Sequence, residues 1–462
     1  MASAAYSSSA TAPLSASSSE SEGQIKITLT TRDESVAVPE VPLLVPLSLK
    51  RYGLSEVVNH LLATEKPIPF DFLVDSELLR VSLQEYITSK GLSSEQTLKL
   101  EYTRSILPPT FLASFNHPDW VSSVDVTRVA QTLGTPAPIV SGCYDGIVRT
   151  WNTSGHVVHQ FSGHTGPVKT VRWLDDRKIV SAGMDRSIRL WRTPVTSELA
   201  DADEDAIQAV GSARVFTGHK STVDDIAVNN VTSRILSAGA DNLVGLWTTN
   251  YNEAPPATVG LSSREIGSGK RRKKAESQPS KGPLALMESH TGPVTGVIFD
   301  AKDATVGYSV SLDHTIKTWD LVTSALVDTR TTSFSLLSIA ALPAVSLLAC
   351  GSSARHVTLH DPRVAADSAT TSTLNGHTNF VVSLSPSPES GYMFSSASYD
   401  GTVRVWDVRA QKSVYVISRE AKGAEKTKVF GVEWNKDVGI VSAGEDKKVQ
   451  INRGTGLEQA SE

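Results

Sequence analysis

The chain has 462 residues, of which 40% are hydrophobic, and this content is ample for two or three folded cores. Its formal net charge of −5 argues against a general nucleic-acid binder, because such proteins usually carry a basic face. Only two cysteines, Cys143 and Cys350, are present, and no run of 18 apolar residues occurs. We therefore expect an intracellular chain without a disulfide framework and without a transmembrane helix.

The N-terminal part contains two compositionally distinct segments. Residues 1–23 are rich in Ser and Ala, lack the apolar core of a secretory signal, and are predicted to be disordered. From Gln24 onward the apolar periodicity predicts an α+β domain over residues 24–107 that resembles a ubiquitin-like (β-grasp) fold. The predicted elements are a strand over 24–32, an apolar stretch over 36–47, a helix over 49–64 capped by Ser48, a strand over 70–74, a short helix or turn over 82–92, and a strand over 97–105.

A repeat occupies the rest of the chain, over residues 108–453, and a tail follows at 454–462. Its unit is a Gly-His turn, strands with period-two apolar alternation, a turn ending in Asp, and a strand ending in Trp. Each turn Asp is preceded by a Ser four residues earlier, and in most units a Trp follows six residues later. The complete sets are His164, Ser181, Asp185, Trp191; His219, Ser237, Asp241, Trp247; His290, Ser309, Asp313, Trp319; and His377, Ser396, Asp400, Trp406.

These residues resemble the WD40 family, in which His, Ser, Asp and Trp form a buried hydrogen-bonded network within a blade. Incomplete units surround Asp145, Arg355 and Asp446, so we predict an all-β, seven-bladed WD40 β-propeller. In the fifth unit Arg355 takes the place of the Asp, and His360 or Leu359 that of the Trp. The segment at 110–116 is expected to supply the outer strand that closes the last blade.

Two of the intervals between successive units are longer than the usual spacing of about 40–45 residues. They predict insertions near 194–213 and 251–283. The first contains an acidic run at 201–206 and is expected to be a solvated loop. The second contains a basic run, which is either a nuclear localisation signal, a phosphate contact, or a solvated loop. Its residues are Lys270, Arg271, Arg272, Lys273 and Lys274.

The recurrence of the His, Ser and Asp residues also bears on catalysis. A hydrolytic triad needs one copy, whereas a repeated fold needs every copy, so the structural interpretation is favoured. Cys and His residues at metal-binding spacing are absent from the sequence. We expect a binding protein that is not an enzyme and that holds no cofactor or metal of its own.

Several longer stretches of the chain are distinctive: LSLKRYGLSEVVNHLL (47–62), PFDFLVDSELLR (69–80), KGLSSE (90–95), DWVSSVDV (119–126), GCYDGIVRTW (142–151), SLDHTIKTWDLVT (311–323) and LLACGSSARHVTLHDPR (347–363). They identify the chain as similar to one family, the eukaryotic WD-repeat ribosome-biogenesis factors of the PeBoW complex, which carry an N-terminal ubiquitin-like domain. That family implies a role in 60S subunit assembly and pre-rRNA processing in the nucleolus and nucleoplasm. The implied partners are a block-of-proliferation-type WD protein, a pescadillo-type protein, the AAA ATPase midasin and the pre-60S particle.

The resemblance singles out Glu95 as a ligand in trans for Mg²⁺ held by the metal-ion-dependent adhesion site (MIDAS) of midasin. A hard cation with an open position accepts an anionic oxygen from a partner. Without the family, Glu95 is an ordinary surface acid or the neighbour of a capping motif made by Ser93 and Gln96. Arg355 and His356 are a candidate partner surface, with tolerated decay of one blade as the alternative. A WD40 substrate adaptor in ubiquitin signalling is the competing function.

Overall fold

The computed structural model describes residues 23–64, 67–93, 96–105, 108–127, 138–194, 208–210, 213–257, 280–364, 372–410, 412–419 and 427–454. The chain divides into two compact units, Met1–Ser105 and Ile106–Glu462. Within the described residues, neither α-helix reaches the length and apolar character that a membrane span requires.

The first unit is a five-stranded sheet with two helices. The strand order is β2-β1-β5-β3-β4, and β1 and β5, from the two ends of the unit, lie parallel at its centre. Ile27, Leu54, Phe70 and Leu100 are fully buried in its core. The elements are β1 Gln24–Thr30, a 3-10 helix Glu34–Val36, β2 Leu43–Pro46, α1 Arg51–Leu62, β3 Phe70–Val74, β4 Glu77–Leu78, α2 Leu83–Lys90 and β5 Leu98–Arg104.

The prediction that Ser48 caps the first helix is wrong. Helix α1 begins at Arg51, and the side chain of its N-cap residue, Lys50, makes no capping hydrogen bond. The carbonyls of Leu47 and Leu49 instead accept hydrogen bonds from the N–H groups of Gln84 and Leu83, at 2.9 and 3.1 Å. Because the first residues of α2 hydrogen-bond to residues 47 and 49, the segment before α1 stays non-helical. Helix α1 therefore begins two residues later than the sequence pattern indicates.

The second unit contains seven sheets among its described residues, antiparallel throughout except for the last strand of the first sheet. Each sheet has four strands, and the first gains a fifth. The sheets are, first, β7 Val121–Val126, β8 Ile139–Cys143, β9 Ile147–Trp151, β10 Val157–Ser162 with β14 Gln208–Val210; second, β11 Val168–Trp173, β12 Lys178–Gly183, β13 Ser187–Arg192, β15 Arg214–Thr217; third, β16 Val223–Asn229, β17 Arg234–Gly239, β18 Leu243–Thr248, β19 Ala285–Glu288; fourth, β20 Val294–Phe299, β21 Val306–Ser311, β22 Thr315–Asp320, β23 Ala325–Thr331; fifth, β24 Leu336–Leu342, β25 Leu347–Ser352, β26 His356–His360, β27 Ser372–Asn375; sixth, β28 Val381–Pro386, β29 Met393–Ser398, β30 Thr402–Asp407, β31 Tyr415–Ser418; seventh, β32 Val429–Asn435, β33 Gly439–Gly444, β34 Lys448–Arg453 with β6 Thr110–Asn116.

The predicted closing strand is confirmed. Strand β6 pairs antiparallel with β34, so the beginning and the end of the unit share the seventh sheet. On its buried side Phe115 stacks on Trp151 of the first sheet, with ring centroids 5.6 Å apart. A register shift between Ile451 and Asn452 marks a bulge in this pairing.

The first strands of the sheets are linked sideways into a closed ring by side-chain hydrogen bonds, each to the neighbouring backbone except that of Thr170, which donates to the side chain of Asp225. Asp125 of the first sheet accepts from the N–H of Trp173 in the second, at 2.6 Å. Asn435 of the seventh sheet donates to the carbonyl of Thr127 in the first, at 3.1 Å, and completes the circle. The links between the intervening sheets are Thr170 to Asp225, Val297 to Asp225, Thr295 to Leu336, Ser338 to Val381, and Val432 to Ser383.

Part of the first insertion is not the solvated loop that was predicted. Residues Gln208–Val210 form β14, which pairs in parallel with β10 of the first sheet. The acidic run at 201–206 lies outside the described residues. The second insertion leaves the third sheet through a stem, in which Lys281 bonds both to Thr217 and to Val215 of the second sheet, at 2.9 and 3.0 Å. The basic run 270–274 also lies outside the described residues.

Candidate functional site

Four sheets contain a complete buried network of His, Ser, Asp and Trp. In the second sheet His164 Nδ1 lies 2.8 Å from Asp185 Oδ2, and His164 Nε2 lies 2.7 Å from Ser181 Oγ. Trp191 Nε1 donates to the same Oγ at 2.7 Å. A carboxylate only accepts, so Nδ1 carries the imidazole proton and the Ser hydroxyl donates to Nε2. The equivalent contacts occur in the third, fourth and sixth sheets, at His219, Ser237, Asp241 and Trp247; His290, Ser309, Asp313 and Trp319; and His377, Ser396, Asp400 and Trp406.

These networks have the connectivity of a hydrolytic triad without its accessibility. Ser181, Ser237, Ser309 and Ser396 are each 0% exposed, and the Trp N–H already donates to the hydroxyl oxygen that a nucleophile would use. The network therefore joins strands within a sheet and does not form a catalytic centre. Among the described residues, no cluster of three or more His, Cys, Asp or Glu side chains is arranged to hold a metal ion.

The electrostatics of the networks fit a structural role. Burial alone would raise the pKa of Asp313, but the hydrogen bonds from Thr315 and His290 outweigh it and lower that pKa to about 2. Burial lowers the pKa of His290 and of His377. Ionised Asp313 and neutral His290 and His377 are thus the stable forms, and this is the protonation state that their hydrogen bonds require.

The first sheet uses a histidine that the sequence analysis missed. His117 Nε2 lies 2.8 Å from Ser141 Oγ, and Trp151 Nε1 donates to that oxygen at 2.8 Å. Asp145 pairs instead with Arg149 at 2.7 Å. The hairpin between β7 and β8 is longer than in other sheets, which shifts His117 outside the expected spacing. Its position four residues before the first strand, as for His164 before Val168, is the signal that would have found it.

The seventh sheet replaces the histidine with an arginine. Arg419 Nη1 lies 2.5 Å from Asp446 Oδ1, and Nη2 donates to Ser442 Oγ at 2.9 Å. A guanidinium therefore contacts the same Ser and Asp positions that an imidazole contacts elsewhere.

The fifth sheet lacks all four network residues, and here the predicted alignment is wrong by one residue. Arg355 has a φ of 71°, which matches the residue after the Asp in other sheets, such as Arg186 at 63° and His314 at 67°. The Asp position is therefore Ala354, and the Trp position is His360. The Ser position is Cys350, and Thr332 stands at the histidine position, four residues before β24.

Five aromatic residues form a patch at the mouth of the ring, which we call the aromatic patch. Its centre is Phe430, whose ring lies 6.1 Å from Trp120 and 5.7 Å from Tyr399. Tyr144 and Phe380 flank it, and Trp120 and Phe380 are 39% and 42% exposed. These residues come from the first, sixth and seventh sheets, at the same end as the Asp turns. Contiguous exposed aromatic surface of this kind is typical of protein interfaces.

The first unit contains the predicted metal ligand in a connection that is only partly described. Glu95 lies outside the described residues. On either side of it, the N–H of Gln96 donates to the carbonyl of Ser93 at 3.3 Å. The connection leads from α2, which Ser82 caps, to β5.

Family models match parts of both units. The model of the NLE (NUC135) domain matches residues 25–87, and that of the WD domain, G-beta repeat, matches residues 155–192, 211–248, 281–320 and 368–407. These four WD matches contain the four complete networks. The replaced networks of the first, fifth and seventh sheets fall outside the matched ranges.

Full-length relatives are also similar to this chain. The protein named ribosome biogenesis protein YTM1 in Candida albicans is 53% identical over 454 residues, which cover 94% of this chain and 97% of the relative. Those of the same name in Vanderwaltozyma polyspora and Saccharomyces cerevisiae are 52% identical over 451 residues and 51% identical over 457 residues. Each covers 94% of this chain and 98% of the relative.

Proposed function

Because this chain belongs to the YTM1 family of ribosome biogenesis proteins, we propose that it is a scaffold for assembly of the 60S ribosomal subunit and for maturation of its rRNA. The single observation that carries this proposal is identity of about half the residues along nearly the whole of both chains. The family is not enzymatic, and its NLE domain is ubiquitin-like. The work of the chain is therefore to hold other molecules together in the nucleolus and nucleoplasm.

We propose that the seven sheets are the blades of a WD40 propeller, and that this propeller binds the block-of-proliferation-type WD protein, with a pescadillo-type protein in the same complex. The aromatic patch supports this assignment, because Trp120 and Phe380 leave 39% and 42% of their surface exposed. Arg355, exposed at a turn of the fifth sheet, is a second candidate contact.

Alanine variants of the patch test the propeller contact. Trp120→Ala with Phe380→Ala should weaken binding to the purified WD partner by about 2 kcal/mol or more, roughly 30-fold in Kd. Val231→Ala is the matched control, because Val231 is 94% exposed in the β16–β17 turn, away from the patch. If the variant with Trp120→Ala and Phe380→Ala binds as tightly as wild type, the patch is not the contact. Arg355→Glu tests the second contact in the same assay.

The N-terminal unit is proposed to dock on the MIDAS of midasin, with Glu95 as the ligand to the Mg²⁺ held there. The unit has a buried core of its own, and in the sequence Glu95 falls between the end of α2 at Lys90 and the start of β5 at Leu98. A carboxylate is the anionic oxygen ligand that a hard cation with an open position accepts. The chain needs no metal of its own for this contact. ATP hydrolysis by midasin would then release the complex from the pre-60S particle.

Binding of the full chain to a purified MIDAS domain, with and without Mg²⁺, tests this docking. Wild type should bind only with Mg²⁺, and Glu95→Ala should lose binding while its thermal unfolding is unchanged. Glu56→Ala, at an exposed position of α1, should bind as wild type does. Equal affinity of wild type and Glu95→Ala would remove Glu95 from the contact. Co-purification of cullin or proteasome subunits in place of pre-60S proteins would favour the ubiquitin adaptor instead.

A further inference from the structure

A cavity of about 290 Å³ opens beside the fifth sheet, on the face that carries the network in the other sheets. The volume is at the low end for small-molecule sites, so it suits one side chain better than a whole cofactor. Its rim includes the ring of Phe334, which is 47% exposed. The residues that line it include Thr332, Phe334, Ser352, His356, Thr358 and Asn375.

One strand position that lines the cavity carries a short side chain in this sheet. Thr358 lies opposite Cys350, the position that pairs with the network Ser in other sheets. In the first, second, fourth and sixth sheets the equivalent residue is Arg or Lys, whose long side chain covers the network. The equivalent residue is Gly245 in the third sheet and Gln450 in the seventh. The long residues are Arg149, Arg189, Lys317 and Arg404.

One residue that lines the cavity, His356, carries a hydrogen-bond acceptor on its ring. His356 Nδ1 lies 3.0 Å from the carbonyl oxygen of Ala354. A carbonyl only accepts, so Nδ1 carries the proton, and in the neutral ring Nε2 is left as an acceptor. Phe334 contacts the same imidazole edge to face, with centroids 5.3 Å apart, and adds an aromatic wall. An occupant should therefore combine a donor with a flat apolar surface.

Charge decides against a cationic occupant. In the first two sheets the cation at this position has a counter-charge, since Arg149 lies 2.7 Å from Asp145 and Arg189 lies 3.8 Å from Asp185. In the fifth sheet that Asp is replaced by Ala354, and none of the described lining residues is acidic. Exposed Arg355 follows directly and adds positive charge. A neutral side chain thus fits, whereas a guanidinium or ammonium would lack a partner.

We propose that this cavity receives a tyrosine or tryptophan side chain of a partner protein, whose O–H or N–H donates to His356 Nε2. Aromatic anchors with one polar atom, buried in a pocket, are the usual source of binding energy at protein interfaces. None of the residues that line the cavity belongs to the aromatic patch or to the first unit, so the proposal stands or fails independently of the contacts proposed for the patch and for Glu95.

Capped amino acids test the proposal on the full chain carrying ¹⁵N-labelled histidine rings, with the His356 resonance assigned through His356→Gln. N-acetyl-tyrosinamide and N-acetyl-tryptophanamide should shift the Nε2 resonance saturably, with Kd in roughly the millimolar range. N-acetyl-phenylalaninamide lacks the donor and should bind roughly threefold to tenfold more weakly, the range expected for one hydrogen bond. N-acetyl-argininamide should not bind.

Cavity-filling variants provide the matched comparison. Thr358→Met fills the space without charge and should abolish the shift while thermal unfolding is unchanged; Asn375→Leu, at an exposed position, provides a second variant. His314→Ala removes the histidine at the corresponding turn of the fourth sheet and should leave binding intact. No saturable shift up to the solubility limit, equal binding of the phenylalanine probe, tighter binding of the arginine probe, or binding that survives both filling variants would overturn the proposal.

Discussion

Arg419 and Asp446 form a buried ion pair in the seventh sheet, with Nη1 and Oδ1 2.5 Å apart and side-chain exposures of 1% and 8%. The guanidinium also contacts Ser442, so one side chain contacts both residues that histidine contacts in other sheets. An imidazole is shorter than a guanidinium on its three-carbon chain. Arginine can therefore reach the network from the end of β31, whereas the other sheets place histidine in the following loop.

Removing that guanidinium should be costly. Arg419→Ala leaves Asp446 buried without its counter-charge, and we expect the free energy of unfolding to fall by about 3–5 kcal/mol. Denaturant unfolding measures the change. Lys447→Ala is the control, because its ion pair with Asp119, at 3.6 Å, is half exposed and should be worth less than about 1 kcal/mol. Equal effects of the two variants would contradict the role given to Arg419.

Strand β6 allows a matched test of ring closure. Phe115 is 5% exposed and stacks on Trp151, whereas Phe111 on the same strand is 61% exposed. Phe115→Ala should lower the free energy of unfolding by about 3–5 kcal/mol, and Phe111→Ala by no more than about 0.5 kcal/mol. Thermal or denaturant unfolding of the full chain measures both. If Phe111→Ala were the more destabilising variant, closure through the buried face of β6 would be wrong.

His117 predicts a dependence of stability on pH. Burial lowers its pKa from about 6.5 to about 4, so between these pH values the unfolded chain binds a proton that the folded chain excludes. The free energy of unfolding should therefore fall as the pH drops from 6.5 toward 4, by up to about 3 kcal/mol from this residue. His117→Gln, which keeps an acceptor for Ser141, should flatten the profile in that window. His156→Gln, at an exposed position, should leave the profile unchanged.

The stem of the second insertion predicts that the insertion can be removed. Ala257 donates to the carbonyl of Ser280 at 3.2 Å, and Gly282 donates to that of Pro255 at 2.7 Å, so the two ends already meet. Replacing residues 258–279 with two glycines should change the free energy of unfolding by no more than about 0.5 kcal/mol.

A fluorescent fusion of the shortened chain should lose nuclear accumulation. A fusion of the chain with Lys270–Lys274 changed to alanine should lose it too. Retained accumulation would show that the basic run is not the nuclear signal.

The strands were predictable because half-buried strands repeat their apolar residues every second position, as Gln24–Thr30 and Leu98–Arg104 do. Features that depend on tertiary contacts were not predictable from the sequence. Helix α1 begins later than its pattern indicates because Leu83 and Gln84 pair with the preceding segment.

The network residues show the same limit. Four sets could be found from the spacing of identical residues, but His117 is displaced by a longer hairpin, and Arg419 is a different residue type from an earlier position. The register of the fifth sheet became clear only from the left-handed φ of Arg355, which no spacing reveals.

Pairing of β6 with β34 also constrains how the chain is made. Residue 116 meets residue 448, so the strand that closes the ring is synthesised first and its partner last. At about 5–20 residues per second, β6 leaves the ribosome tens of seconds before it can pair. During that interval its unpaired edge, with Phe111 and Leu112 beside it, resembles an open template for aggregation. The nascent chain should thus need shielding by a chaperone until translation is complete.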